Sequence, residues 1–207
     1  MKLYRFFRFL LSLPVRLLFP VKVYGKENLV DGKCLVLANH YSAMEIPVVA
    51  VRIFKKEFHA LSKKELYKNK FFGWILKKFG GIPVDRDNVD PKAIKSVLSV
   101  LNAEKSLYMC PEGTRNKDET KEMLPLKHGA AIFAVKTRST IVPFLFYKKT
   151  RLFRRNHLII GKPFDLSEFY GDRAPDMKER ATEVIKSRFD ELRLELDAIV
   201  EKKGSKK

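Results

Sequence analysis

The stretch at residues 34–54, CLVLANHYSAMEIPVVAVRIF, decides the reading of the fold. It opens on five apolar residues, Cys34 to Ala38, a run of the length and composition of a buried strand. The run breaks at Asn39-His40-Tyr41-Ser42, and apolar residues return with helical spacing over 46–54. A strand that delivers a polar turn into a helix is the unit of an α/β domain. Working outward, the same alternation predicts strands over 58–61, 82–84, 106–109, 141–146 and 157–160. It predicts helices over 66–79, 92–103, 126–137 and 175–201. Asp90-Pro91 supplies an N-cap and a first-turn proline for the helix at 92. In the last helix Ile185, Phe189, Leu192, Leu196 and Ile199 form one apolar stripe that packs onto its own domain. The fold class expected is a single α/β domain over 22–202, with a mostly parallel or mixed central sheet flanked by helices. A basic tail at 203–207 is expected to be disordered.

The chain has 207 residues, 45% of them hydrophobic and 12% aromatic, enough apolar material for a full core. Two cysteines exclude a disulfide scaffold and a four-cysteine zinc module. Of the four histidines, His59, His128 and His157 are scattered in no metal-ligand pattern, so no metal is expected. The formal net charge of +18 calls for an anionic partner: nucleic acid, a membrane surface or a phosphorylated substrate. The charge is unevenly placed. Residues 1–26 carry six Lys and Arg and no acid, and residues 52–78 carry nine against two acids.

The longest stretch without Asp, Glu, Lys or Arg is 11 residues, 34–44, whereas a membrane-spanning helix needs about 20 apolar ones. Residues 1–21 are a different case. At about 100° per residue, Lys2, Arg5, Arg8, Ser12 and Arg16 fall within one arc of about 120°. Most of the remaining circle is Leu, Phe, Val and Tyr. A basic stripe opposite a broad apolar face describes helices lying in a membrane interface, with Pro14 dividing the segment in two. A signal peptide fits less well, because Arg interrupts the apolar run and no small-residue cleavage site follows. A core helix is the competing reading. A second such segment surrounds Phe71, Phe72, Ile75, Leu76 and Phe79, with Lys70 and Lys77 opposite. Membrane contact and core packing are equally open there.

Four short segments carry chemistry. In the first, His40 stands where a strand ends, and Glu45 opens the next helix. A carboxylate there can reach back to the imidazole Nδ1, fixing its tautomer and supporting charge on the ring, which makes a general base. The second, at 80–86, brings Arg86 to the end of a strand after Gly80-Gly81. The third, Pro111-Glu112-Gly113-Thr114-Arg115, follows another apolar strand and ends on Arg115. Arginines at strand ends suit bidentate phosphate binding, though a lone arginine is more often a surface ion pair. The fourth places Pro143 inside an apolar strand, which by itself reads as an edge strand or bulge. Ser42 lies beside His40 but in no nucleophile elbow, so a loop hydrogen bond is its expected role. Cys34 and Cys110 read as buried, inert thiols.

Together and in this order, the four segments resemble the motifs of the glycerolipid acyltransferase family, bacterial 1-acylglycerol-3-phosphate acyltransferases in particular. The resemblance covers roughly residues 22–165 and includes the phrases VYGKENL, SKKEL, FFGW and LKHGAA. It implies an enzyme that moves a fatty acyl group from acyl-CoA or acyl carrier protein to the free hydroxyl of a lysophospholipid. The acceptor implied is 1-acylglycerol-3-phosphate, giving phosphatidic acid, with another lysolipid or glycerol 3-phosphate as alternatives. The thioester is a co-substrate, and no cofactor is implied. His40 would deprotonate the acceptor and Glu45 would orient His40. Arg86 and Arg115, with Lys63, would hold the acceptor phosphate. Glu112, Gly113 and Thr114 would form the turn that places Arg115, and Pro143 would shape the acyl-donor side. One departure stands out: the family usually has Asp where this chain has Glu45, one methylene longer.

The resemblance also implies a peripheral or monotopic place on the cytoplasmic face of the cell membrane, with an anionic membrane surface as partner. Two other readings compete. A nucleic-acid binder fits the charge, but Lys is interleaved with Leu and Phe and no nucleic-acid motif is present. A non-catalytic lipid-binding module would use the same basic, apolar surface without turnover.

Overall fold

Short runs rich in Val, Leu and Ile become strands, and the segments with helical spacing between them become helices. The computed structural model describes residues 2–54, 59–86, 88, 90–118 and 123–204, with side chains from Arg8 to Lys202. In chain order these are α1 (Lys2–Leu18), β1 (Val21–Tyr24), β2 (Cys34–Ala38), α2 (Glu45–Arg52), β3 (His59–Lys63), α3 (Lys70–Lys78) and β4 (Gly81–Val84). They continue with α4 (Pro91–Asn102), β5 (Leu107–Met109), α5 (Gly129–Thr137), β6 (Thr140–Phe146), β7 (Asn156–Ile160) and α6 (Met177–Gly204). Asp90 caps α4 as expected, its carboxylate accepting from the N–H groups of Lys92 and Ala93.

The strands form one seven-stranded mixed sheet in the order β1-β7-β6-β2-β5-β3-β4. Strands β2 to β6 all run parallel; β7 is antiparallel to β6, and β1 follows β7. Because side chains alternate across a strand, each strand feeds two cores. Leu35, Leu37, Leu107, Ile141 and Ile159 face one side and pack with Ile185, Phe189, Leu192 and Leu196 of α6. The expected α6 stripe therefore does close onto its own domain. Val36, Ala38, Tyr108, Phe144, Phe146 and Leu158 face the other side and pack with Val48 and Val49 of α2. Each such buried Leu, Ile or Phe is worth about 1.5–3 kcal/mol.

Five expectations are corrected. Strand β1 was not anticipated: it is four residues long, contains Lys22 and lies at a sheet edge. The 66–79 helix divides at Asn69, whose side chain caps α3 by accepting from the Phe72 N–H at 3.0 Å. The chain before it is a 3-10 turn over Lys64–Tyr67. Pro14 does not divide α1; it lies on an exposed part of the helix, where water can take the carbonyl the ring leaves unpaired. Pro143 sits not at an edge but in β6, between β7 and β2. Peptide groups alternate sides along a strand, so its missing N–H falls on the β7 side, beyond the end of β7. The Gly161 N–H still donates to the Pro143 carbonyl at 2.8 Å. Helix α6 runs to Gly204, into the expected tail, and 205–207 lie outside the described residues, as does Phe58.

Candidate active site

The carboxyl ends of β2 to β6 lie along one border of the sheet, the border where ligands bind in open α/β sheets. Strand β2 is buried along its whole length, and its end is fastened first. The Asn39 amide donates to the Phe146 carbonyl at 2.9 Å and accepts from the Phe146 N–H at 2.8 Å, clamping β2 to the end of β6. His40 follows, only 3% exposed. Its Nδ1 lies 2.9 Å from Glu45 Oε2. Glu45 Oε1 accepts from the backbone N–H groups of Tyr41 at 2.9 Å and Ser42 at 2.6 Å. Two backbone donors and the His40 ring nitrogen thus converge on one carboxylate in the first turn of α2. Burial pushes the Glu45 carboxyl up, against the opposing pull of His40 and the two N–H groups.

Glu112 does more than form a turn. Its Oε1 accepts from the His40 N–H at 2.7 Å, and its Oε2 accepts from the Leu124 N–H at 2.9 Å. The His40 carbonyl in turn accepts from the Asn116 N–H at 2.7 Å. The backbone of His40 is therefore held on both sides, by Glu112 and Asn116. Burial, aided by nearby Glu45, raises the Glu112 carboxyl to about 7 despite the two N–H donors. Ser42 has the loop role expected: its hydroxyl accepts from the Met44 N–H at 3.1 Å. Burial pushes both the Cys34 and Cys110 thiols up, so they stay protonated.

His40 faces a groove of about 630 Å³ with mainly apolar walls: Ile46, Leu61, Val84, Ile94, Met109, Ile132 and Phe133. The polar residues on it include Arg86, Lys127 and Lys136. Arg86 was expected here. Lys127 was not singled out, because fifteen residues of sequence separate it from Glu112. The return of the chain toward α5 brings it back: the Lys127 N–H donates to the Pro111 carbonyl at 2.8 Å. Its side chain lies over Gly113, whose φ of +70 leaves no Cβ in the way; a Cβ there would stand 2.7 Å from Lys127 Cδ.

The other expected site residues are dispersed. Thr114 and Arg115 are exposed and do not line the groove. Lys63, at the end of β3, is exposed and pairs with Glu65 at 3.8 Å. The placement of Pro143 does not support its expected part on the acyl-donor side. It lines a separate cavity with Gly161, Phe164 and Leu192 against α6. Among the described residues no group of three or more His, Cys, Asp and Glu could hold a metal ion.

A buried histidine–carboxylate pair thus stands at a groove with mainly apolar walls and cations on it. The Acyltransferase family model matches residues 20–147, and the chain belongs to that family. The 1-acyl-sn-glycerol-3-phosphate acyltransferase of Bacillus subtilis (strain 168) is 33% identical over 185 residues, covering 86% of this chain and 91% of its own. The Saccharomyces cerevisiae protein of the same name is 31% identical over 173 residues, covering 77% of this chain and 56% of its own. Among solved structures, the 1-acyl-sn-glycerophosphate (LPA) acyltransferase PlsC from Thermotoga maritima superposes with a TM-score of 0.67 at 25% identity. That match covers 92% of this chain and 78% of the other. The chain is an enzyme of the 1-acylglycerol-3-phosphate O-acyltransferase type.

Proposed function

We propose that this chain transfers a fatty acyl group from acyl-CoA or acyl carrier protein to the free hydroxyl of 1-acylglycerol-3-phosphate, giving phosphatidic acid. The buried His40–Glu45 pair, facing an apolar groove with Arg86 and Lys127 on it, carries this reading. Glu45 holds the proton on His40 Nδ1, which leaves Nε2 to take the proton of the acceptor hydroxyl. The oxygen so activated attacks the thioester carbonyl, and Glu45 stabilises the imidazolium that forms. Collapse of the tetrahedral intermediate breaks the carbon–sulfur bond, and the Nε2 proton passes to the leaving thiolate. Arg86 and Lys127 hold the acceptor phosphate, while Arg115 and Lys63 strengthen the positive field at this end of the sheet. The apolar walls take the acyl chain and keep water from the thioester.

The membrane surface belongs to the same reading. Helix α1 turns Arg8, Ser12, Val15 and Leu18 toward the domain, and Arg8 donates to the Phe54 carbonyl at 3.1 Å. Other apolar side chains of the helix point outward, with Phe9 79% exposed and Leu13 and Leu17 nearly as open. On α3, Phe71, Phe72 and Trp74 are exposed too. A core helix would show the opposite arrangement, so these faces suit a bilayer interface, and the protein works as a peripheral or monotopic enzyme. No helix among the described residues is long and apolar enough to cross a membrane.

The test is an acyl-transfer screen of the purified protein. Lysophosphatidic acid, other lysolipids and glycerol 3-phosphate are each offered with acyl-CoA and with acyl carrier protein, and products are read by mass spectrometry. Phosphatidic acid formation that is lost in His40→Ala is expected. Turnover of every other acceptor but not lysophosphatidic acid would refute the acceptor assignment.

A further inference from the structure

The loop between β6 and β7, residues 147–155, reads YKKTRLFRR and has no acid. Because β6 runs parallel to β2, this loop lies at the same end of the sheet as His40. Lys148, Lys149, Arg151, Arg154 and Arg155 line a cleft of about 490 Å³. Leu152 and Phe153 are 53% and 73% exposed at the turn.

The loop is built, not loose. Buried Asn156 accepts from the Arg151 N–H at 2.9 Å and donates to the carbonyls of Arg151 at 3.1 Å and Arg154 at 2.9 Å. The Asn156 N–H donates to the Pro20 carbonyl at 2.8 Å, just beyond α1. The Phe153 N–H donates to the Leu18 carbonyl at 2.7 Å, satisfying one of the unpaired groups at the end of α1. Phe153 adopts φ +53, a left-handed conformation that is strained for a bulky side chain and natural for glycine. With 73% of Phe153 exposed, packing rewards the phenyl ring little at that position. Strain held at an exposed residue points to a function outside the fold.

We propose that residues 148–155 form a second, non-helical membrane anchor that recognises anionic phospholipid. Leu152 and Phe153 enter the acyl boundary, and the flanking cations take lipid phosphates. The charge alone would also suit an acidic protein. The exposed Leu-Phe pair and the direct bond to the end of α1 favour a bilayer, because the bond sets the loop beside the helix whose Phe9, Leu13 and Leu17 are also exposed. The proposal rests on the membrane-facing reading of α1.

The experiment measures partitioning of the full chain onto sucrose-loaded phosphatidylcholine vesicles, with and without phosphatidylglycerol. Phe153→Gly fits the left-handed turn, so it should melt no lower than wild type. It is expected to lower partitioning about tenfold on both vesicle types. Arg154→Ala with Arg155→Ala is expected to lower it about twentyfold on the anionic vesicles and little on the neutral ones. Leu13→Ser in α1 is the parallel arm. Full partitioning of both loop variants, with Leu13→Ser weakened, would overturn the loop proposal and leave α1 standing. Full partitioning of all three would overturn both. A raised KM for acyl carrier protein in the arginine variant, with vesicle binding intact, would overturn the lipid assignment in favour of an acidic protein.

Discussion

Replacing Glu45 with Gln should separate the chemistry of the carboxylate from its structural role. Oε1 of Glu45 takes two N–H donors, at 2.6 and 2.9 Å, so the carbonyl oxygen of a Gln must sit there. The opposite flip would leave both N–H groups unpaired in a buried site, at about 1–3 kcal/mol each. The Gln amide nitrogen therefore faces His40 Nδ1, where the carboxylate oxygen now lies at 2.9 Å. An amide donates to Nδ1, which moves the ring proton to Nε2 and leaves no base facing the groove. The charge that supports the imidazolium is lost as well, worth about 4 kcal/mol for a pair this close. Together these predict a fall in kcat of about 10³–10⁴-fold. The assay is thiol release from acyl-CoA at saturating lysophosphatidic acid in mixed micelles. Thermal stability should be unchanged or higher, because burial disfavours the Glu45 charge and Gln carries none. A kcat within tenfold of wild type would refute the assigned role of the carboxylate. Glu45→Asp keeps the charge but cannot reach both His40 and the two N–H groups from the same backbone, so a milder loss of about 10²-fold is expected.

Glu112 gives a prediction in pH. Its carboxyl is raised from 4.5 to about 7, so the folded state holds the proton more tightly than the unfolded state. Its contribution to stability is full below about pH 4.5 and is lost as pH rises through about 7. Denaturant titrations should show wild type losing about 3 kcal/mol relative to Glu112→Gln across that window; parallel pH profiles would contradict this. Lys127→Met should raise the KM for lysophosphatidic acid about tenfold with kcat little changed, a result checked by initial rates, and Arg86→Met should do the same. Gly25, at φ +69, leaves space for the Ile160 carbonyl, which a Cβ would meet at 2.1 Å. Gly25→Ala should therefore cost about 2 kcal/mol or more, seen as a Tm drop of about 4–8 °C.

The order of strands and helices was legible because β2 and most of β6 are buried on both faces and read as apolar runs. The four-residue β1, half-exposed and carrying Lys22, gives no such signal. The His40–Glu45 contact was legible because it is local, a strand end meeting the first turn of the next helix. Glu112 and Lys127 were not, since their roles depend on contacts distant in sequence: Glu112 with the His40 and Leu124 N–H groups, and Lys127 with Pro111. Pro143 misled for a related reason. Its composition signal is that of an edge strand, but the missing N–H falls where the neighbouring strand has already ended, which only the sheet order reveals. The exposed apolar faces of α1 and α3 show why periodicity alone left core and membrane readings open: both demand an apolar stripe, and only the rest of the chain decides what covers it.

The Asn39 clamp has a mechanical consequence. It binds the residue before His40 to Phe146, the last residue before the basic loop, through two buried bonds of 2.8 and 2.9 Å. On the proposed readings, the lipid-facing loop and the base are thereby tied to each other through two adjacent strands. The height of the reaction above a bilayer would then be a dimension of the fold, set by strand spacing. An acceptor lipid would be met at a constant depth, and longer or shorter acyl chains would have to be accommodated by the groove.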